Sequence, residues 1–266
     1  MTVALVTGAT QGLGRALVEA LARELGPDDV VYATGRRRDA LEAVVGGQPS
    51  QVRSELLDVG QPESAELLAE TLRQRHGGVD VVIGNAVMRI SPDDDDRVVI
   101  DEYVAVNNLG TTRLMRAFAP ITRPGGRLLV VASSLGTLHY LPPVLHPHFD
   151  GLADLDAVDA AVLAWRDQVR GGSVRATAWP TFLNIPSKIG QVAAVRALAA
   201  HHPDIQITAV CPGMINTPTS GAYWDVSTAP TPERAAGPLV DLALGPARPD
   251  LHGELVSDGV ALPWKP

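Results

Sequence analysis

Short runs of β-branched and other apolar residues alternate along the chain with longer stretches whose apolar positions recur every three to four residues. The first pattern predicts strands at 2–7, 30–34, 51–57, 79–83, 127–132, 206–210 and 254–257. The second predicts helices at 13–25, 37–45, 63–76, 97–119, 189–200 and 232–244, with a shorter one near 153–168. Pro62, Pro232 and the Gly77-Gly78 pair fall where those helices should start or stop. The strand runs are nearly continuous in apolar character, as expected of strands covered on both faces. The reading is an α/β fold: a single doubly wound parallel sheet with helices on both faces, one domain over 1–266.

Two stretches exceed what a minimal sheet-and-helix plan needs. One, about 135–183, contains Pro142-Pro143, His146, Pro147 and His148 and precedes the helix at 189–200; the other, about 214–231, is rich in Pro, Ser, Thr and aromatics. Both follow predicted strands, and open α/β sheets bind ligands at the carboxyl ends of their strands. They are the expected walls of a substrate pocket.

Composition narrows the partners. With 22 Lys+Arg against 30 Asp+Glu the net charge is −8, a poor match for nucleic acid or an anionic membrane surface. Cys211 is the sole cysteine, so no internal disulfide or cysteine zinc site is expected, and it reads as a packing residue. No apolar run approaches the roughly 20 residues of a membrane span, and the first residues lack a basic leader. A soluble cytoplasmic protein is the expectation. Only Lys188 and Lys265 are lysines, all other cations being arginines. The run Asp93–Asp96 reads as a solvated acidic stretch, and no metal is assigned.

The first strand ends in Thr7-Gly8-Ala9-Thr10-Gln11-Gly12-Leu13-Gly14 and leads straight into an amphipathic helix. Gly8 suits the tight turn, Gly12 allows backbone to approach a pyrophosphate, and Gly14 allows close helix–strand packing. The helix N-terminus adds free N–H groups for the phosphates, so a Rossmann-type dinucleotide site is expected. After the second strand, Arg36 and Arg37 stand where an acidic residue would bind the ribose hydroxyls of NAD. Their charge suits a 2′-phosphate, which points to NADP(H).

These motifs resemble the short-chain dehydrogenase/reductase family, and further matches follow along almost the whole chain. Leu57-Asp58-Val59 resembles the family segment whose Asp touches adenine. Gly84-Asn85-Ala86-Val87 keeps only the middle pair of Asn-Asn-Ala-Gly. Val106-Asn107-Asn108 resembles the helix motif whose asparagine, here Asn107, helps hold a proton-relay water. Ala132-Ser133-Ser134 resembles the strand end carrying the substrate-binding serine, Ser134. Cys211-Pro212-Gly213-Met214-Ile215-Asn216-Thr217 resembles the loop over the nicotinamide. The resemblance implies that Thr10, Gln11, Leu13, Val59, Asn85, Ala86, Pro212, Gly213, Ile215, Thr217 and Lys188 contact the cofactor. The long interval between Ser134 and Lys188 resembles the monomeric carbonyl reductases, which implies a monomer acting on a bulky small-molecule ketone or aldehyde.

The family signature Tyr-x-x-x-Lys is altered. Lys188 fits, but Asn184 occupies the tyrosine position. In the family the phenol gives its proton to the carbonyl oxygen; an amide has no proton to give near neutral pH. Three readings stay open. NADPH-dependent reduction persists, with Asn184 and Ser134 polarising the carbonyl; or the fold keeps NADP(H) for non-redox chemistry such as cyclisation or isomerisation; or the chain is a silent binding protein. Tyr140, His146, His148 and Tyr223 are candidate replacement acids.

Overall fold

The computed structural model describes residues 1–49, 51–174 and 177–266, so positions 175 and 176 of the expected insertion lie outside the described residues. Eight strands form one sheet: β1 (Val3–Val6), β2 (Val30–Gly35), β3 (Val52–Leu56), β4 (Val79–Gly84), β5 (Thr122–Val131), β6 (Gln206–Cys211), β7 (Leu255–Ser257) and β8 (Val260–Leu262). Their order is β3-β2-β1-β4-β5-β6-β7-β8, parallel from β3 to β7. The strand sequence reverses direction between β1 and β4, which places a crevice at their carboxyl ends.

Alternation along β1 shows why the sheet is doubly covered. Val3 and Leu5 join one apolar core, while Ala4 and Val6 join the other. On the second face lie α1 (Gly12–Glu24), α2 (Arg38–Val45) and, late in the chain, Pro232–Leu244. The first face carries α3 (Ser64–His76), α4 (Asp96–Val104), α5 (Gly110–Phe118), α6 (Leu155–Arg170) and α7 (Asn184–Ala199). Then follow the short α8 (Pro218–Gly221) and α9, the Pro232–Leu244 helix already placed.

Two departures from the sequence reading matter. The expected parallel sheet gains an antiparallel edge: β8 pairs β7 across Asp258-Gly259, both at positive φ, the geometry of a two-residue hairpin turn. The expected helix at 97–119 is broken, because residues Ala105–Leu109 form a π-helical turn between α4 and α5. Such a turn inserts an extra residue into the helix and commonly marks a functional site.

The insertion is organised rather than slack. Three 3-10 turns lead to α6, whose Val158, Val162 and Trp165 are buried in the first-face core. The C-terminal tail ties this region down: Trp264 Nε1 donates to Asp150 at 3.0 Å, Lys265 pairs with Asp150, and Leu138 N donates to Trp264 O. Among the described residues no helix is long and apolar enough to cross a membrane.

Candidate active site

The carboxyl ends of β1, β4, β5 and β6 converge on a cavity of about 460 Å³. At its β1 side the glycine turn has Gly8 at φ 64° and Gly12 at φ 52°. A Cβ on Gly14 would overlap the Gly8 carbonyl and lie 2.5 Å from Asn85 Nδ2, so α1 can sit this close only on glycine. A Cβ on Gly12 would meet only Thr217 Cγ2, at 3.9 Å, which leaves that backbone open to a ligand. Asn85 closes the turn from β4, donating from Nδ2 to Thr7 O, while its N–H and that of Ala86 reach Thr7 Oγ1 at 2.9 Å. An open backbone at a helix N-terminus, with exposed Arg36 and Arg37 beyond β2, fits a dinucleotide with an extra phosphate. Among the described residues Arg36 is engaged only by a solvent-exposed Glu102 at 3.9 Å.

Of the expected site residues, Leu13, Asn85, Ser134, Asn184, Lys188, Pro212, Gly213, Ile215 and Thr217 line the cavity. Gly8, Thr10, Gln11, Gly12, Gly14, Ala86, Asp58 and Val59 are not in its wall. Asp58 Oδ1 accepts from Gly60 N, and Val59 is buried against the site of Gly110. Cys211, read as packing, is half-buried and reaches the cavity wall.

The motif Asn184…Lys188 lies on the first turns of α7, so the two side chains share one face a helical turn apart. Pro186 is tolerated there because N–H groups of a first turn have no intrahelical partner. Ser187 and Asn108 exchange hydrogen bonds at 2.9 Å, pinning this turn to the π turn. Ser133 Oγ accepts from Leu135 N as a cap, which leaves Ser134 to offer its hydroxyl to the cavity. A Cβ on Gly136 would come within 3.0 Å of Lys188 O, and that close approach brings the Ser134 segment against α7.

Lys188 Nζ donates to Gln191 Oε1 at 2.7 Å and to Val131 O at 3.3 Å. Burial, helped by the charge of Arg89, pushes its pKa down to about 8. Gln191 Nε2 in turn donates to Asn107 O at 2.9 Å and Thr111 Oγ1 at 3.0 Å. The Asn107 carbonyl also accepts from Thr111 Oγ1, so both of its lone pairs are taken by protein. The Asn107 carbonyl, to which the resemblance assigned a relay water, bonds the Gln191 amide that also holds Lys188. The Asn107 side chain clamps Met88 instead, accepting from its N–H at 2.7 Å and donating to its carbonyl at 2.9 Å.

Asn184 has a partner that periodicity alone treats as core. Tyr103, buried on α4, donates from its hydroxyl to Asn184 Oδ1 at 2.7 Å. Burial pushes the Tyr103 pKa up to about 12, so it keeps its proton and donates throughout the neutral range. With Oδ1 engaged, the two N–H groups of Asn184 remain for the cavity.

Among the candidate acids only Tyr223 lines the cavity; its hydroxyl donates to Ile90 O. His148 packs against Trp179, His146 bonds Leu141 O, and Tyr140 is exposed beside His139. Burial and the charges of Asp94 and Asp96 raise the Tyr223 pKa, against a role as acid. Within the acidic run, Asp95 caps α4 and Asp94 accepts from Ser91 N.

Comparison with known proteins agrees with this architecture. Carbonyl reductase (NADPH) 1 of Rattus norvegicus is 30% identical over 98% of both chains. Carbonyl reductase (NADPH) 3 of Mus musculus is 28% identical over the same shares. Salutaridine reductase from Papaver somniferum superposes with a TM-score of 0.81 at 21% identity, covering 97% of this chain and all of that one. The family model described as short chain dehydrogenase matches residues 2–142. With the glycine turn, the sheet order and full-length relatives in agreement, the chain belongs to the short chain dehydrogenase family.

Proposed function

We propose that this chain reduces the carbonyl group of a bulky small-molecule substrate with NADPH, and does so with hydrogen-bond donors and charge in place of a phenolic acid. The observation that carries this reading is the cavity where Ser134, Asn184 and Lys188 meet beside the glycine turn. NADPH, when bound, supplies a hydride. Gly12 and the N-terminus of α1 would hold its pyrophosphate, Arg36 and Arg37 its 2′-phosphate, and Lys188 its nicotinamide ribose. Ser134 Oγ and Asn184 Nδ2 donate to the substrate oxygen, and the Lys188 ammonium stabilises the negative charge that grows there. Tyr103 keeps the Asn184 amide turned so that donors, not its oxygen, face that charge. The final proton comes from water in the cavity. Forgoing a positioned acid costs about 10²- to 10⁴-fold in rate, which a reactive carbonyl tolerates. The chain acts as a single domain and, with α6 packed across α4 and α7, as a monomer.

A second reading is favoured by the Lys188–Gln191–Asn107 bridge, because amides in both positions suit chemistry that moves no proton. In that reading NADP(H) stays bound while a cyclisation or isomerisation occurs. A titration with NADPH and NADH, followed at the nicotinamide band with a panel of aryl and alicyclic ketones, tests both. Substrate-dependent bleaching is expected; binding without bleaching, together with substrate turnover, selects the second reading.

A further inference from the structure

Among the described residues the cavity wall contains two cations, Lys188 and Arg89, and no carboxylate, in a chain whose net charge is −8. Lys188 is engaged by Gln191 and Val131. Arg89, exposed in the cavity wall, makes no hydrogen bond or ion pair among the described residues. Other arginines near the site's elements find partners: Arg116 pairs with Asp159, and Arg113 donates to the Gly60 carbonyl. Arg89 is exposed where it lines the cavity, so its guanidinium is solvated and available to an anion that enters beside it.

Arg89 is also held in place from both sides. Its neighbour Met88 is clamped at both backbone groups by Asn107, and its other neighbour, Ile90, accepts from the Tyr223 hydroxyl at its carbonyl. These bonds fix the backbone on either side of the exposed Arg89, which sets where its side chain starts in the cavity wall. The planar guanidinium fork matches a carboxylate with two parallel hydrogen bonds. Around it the wall is apolar and aromatic, with Met88, Ile90, Met214 and Trp224.

We propose that Arg89 selects a carbonyl substrate that carries a carboxylate on an apolar body. The inference rests on the reductase reading of the same site, and its test separates the two. The probes are 4-oxo-4-phenylbutanoate and its neutral methyl ester, titrated calorimetrically into protein saturated with NADP⁺. The wild type binds the acid about tenfold or more tightly than the ester, the size expected of a charged hydrogen-bonded pair. Arg89→Met erases that preference, and Arg89→Lys keeps part of it; melting temperatures confirm that both variants fold. Equal binding of the two probes by the wild type overturns the proposal, and undetectable binding of both counts as equal. So does a preference that survives Arg89→Met, or a loss in that variant confined to NADP⁺ affinity, which would assign Arg89 to the cofactor. If NADP⁺ does not bind the wild type, the reductase reading fails, and the same acid–ester comparison on the free protein still decides the role of Arg89.

Discussion

Replacing Asn184 by tyrosine has two consequences of opposite sign. The new phenol stands one helical turn from Lys188, whose charge lowers a phenol pKa and makes it a better acid. A positioned acid contributes about 10²- to 10⁴-fold, or roughly 3–5 kcal/mol of barrier. Against this, the Tyr103 hydroxyl loses the oxygen it donates to, and it is buried where water does not reach. An orphaned buried donor costs about 1–3 kcal/mol of stability. For a chain of this size that lowers the melting temperature by roughly 2–10 °C. Hydride transfer measured in a single turnover, with NADPH pre-bound and a ketone mixed in, should therefore rise at least about tenfold. The double variant Asn184→Tyr/Tyr103→Phe should recover most of the lost thermal stability, because it deletes the orphaned hydroxyl. Steady-state turnover should gain less than the single turnover, since the Gln191 amide bonded to Lys188 has no proton to hand to a spent phenol. A folded Asn184→Tyr protein that binds NADPH but shows no faster single turnover would refute the view that the amide stands in a proton donor's place.

Tyr103→Phe alone should lower kcat about tenfold with little change in KM, because the Asn184 amide is then free to turn its oxygen toward the substrate; an effect on KM alone would make Tyr103 a packing residue. Deprotonation of Lys188 should lower kcat as pH rises through about 8. Its stability effect runs the other way: between about 8 and the ordinary value of 10.5 the unfolded chain holds more protons at this group, so stability rises with pH across that window. Lys188→Met should remove both trends, read from pH–rate profiles and from denaturant melts. Removing both Arg36 and Arg37 should weaken NADPH binding about tenfold or more while leaving NADH affinity nearly unchanged, measured by fluorescence titration.

Long periodic elements were legible in the sequence because burial on both sheet faces writes itself as apolar runs. The seven expected strands are all present, with ends moved by a residue or so apart from an earlier start of β5. Strand β8 was missed because three residues carry no period, although Asp258-Gly259 is a hairpin signal. The π turn was invisible for a related reason: one inserted residue leaves the apolar spacing on either side intact. The site divides similarly. Motif residues were named from spacing and family resemblance, whereas Tyr103 and Gln191 bond partners distant in sequence and Arg89 belongs to no motif. Tyr103 looked like one more core aromatic, Gln191 like a polar residue in a buried helix, and Arg89 like one arginine among many. A buried glutamine on an otherwise apolar helix was the strongest signal of the three, since such a group must find partners.

The three residues that spacing did not reveal explain one another. An amide at position 184 has an oxygen that would repel a developing negative charge, so it serves the site only if that oxygen is held elsewhere. Tyr103, protonated across the neutral range, holds it. Gln191 joins Lys188 to the Asn107 carbonyl through its amide, which fixes the ammonium in place. The cavity wall carries Ser134, Asn184, Lys188 and Arg89 beside the neutral Asn85, Ser133, Thr217, Ser220 and Tyr223, with no carboxylate among the described residues. Such a set stabilises negative charge and transfers little of it away as protons. In the proposed mechanism solvent protonates the oxyanion that these donors hold, so rate should follow the charge on Lys188 more closely than the acidity of any side chain.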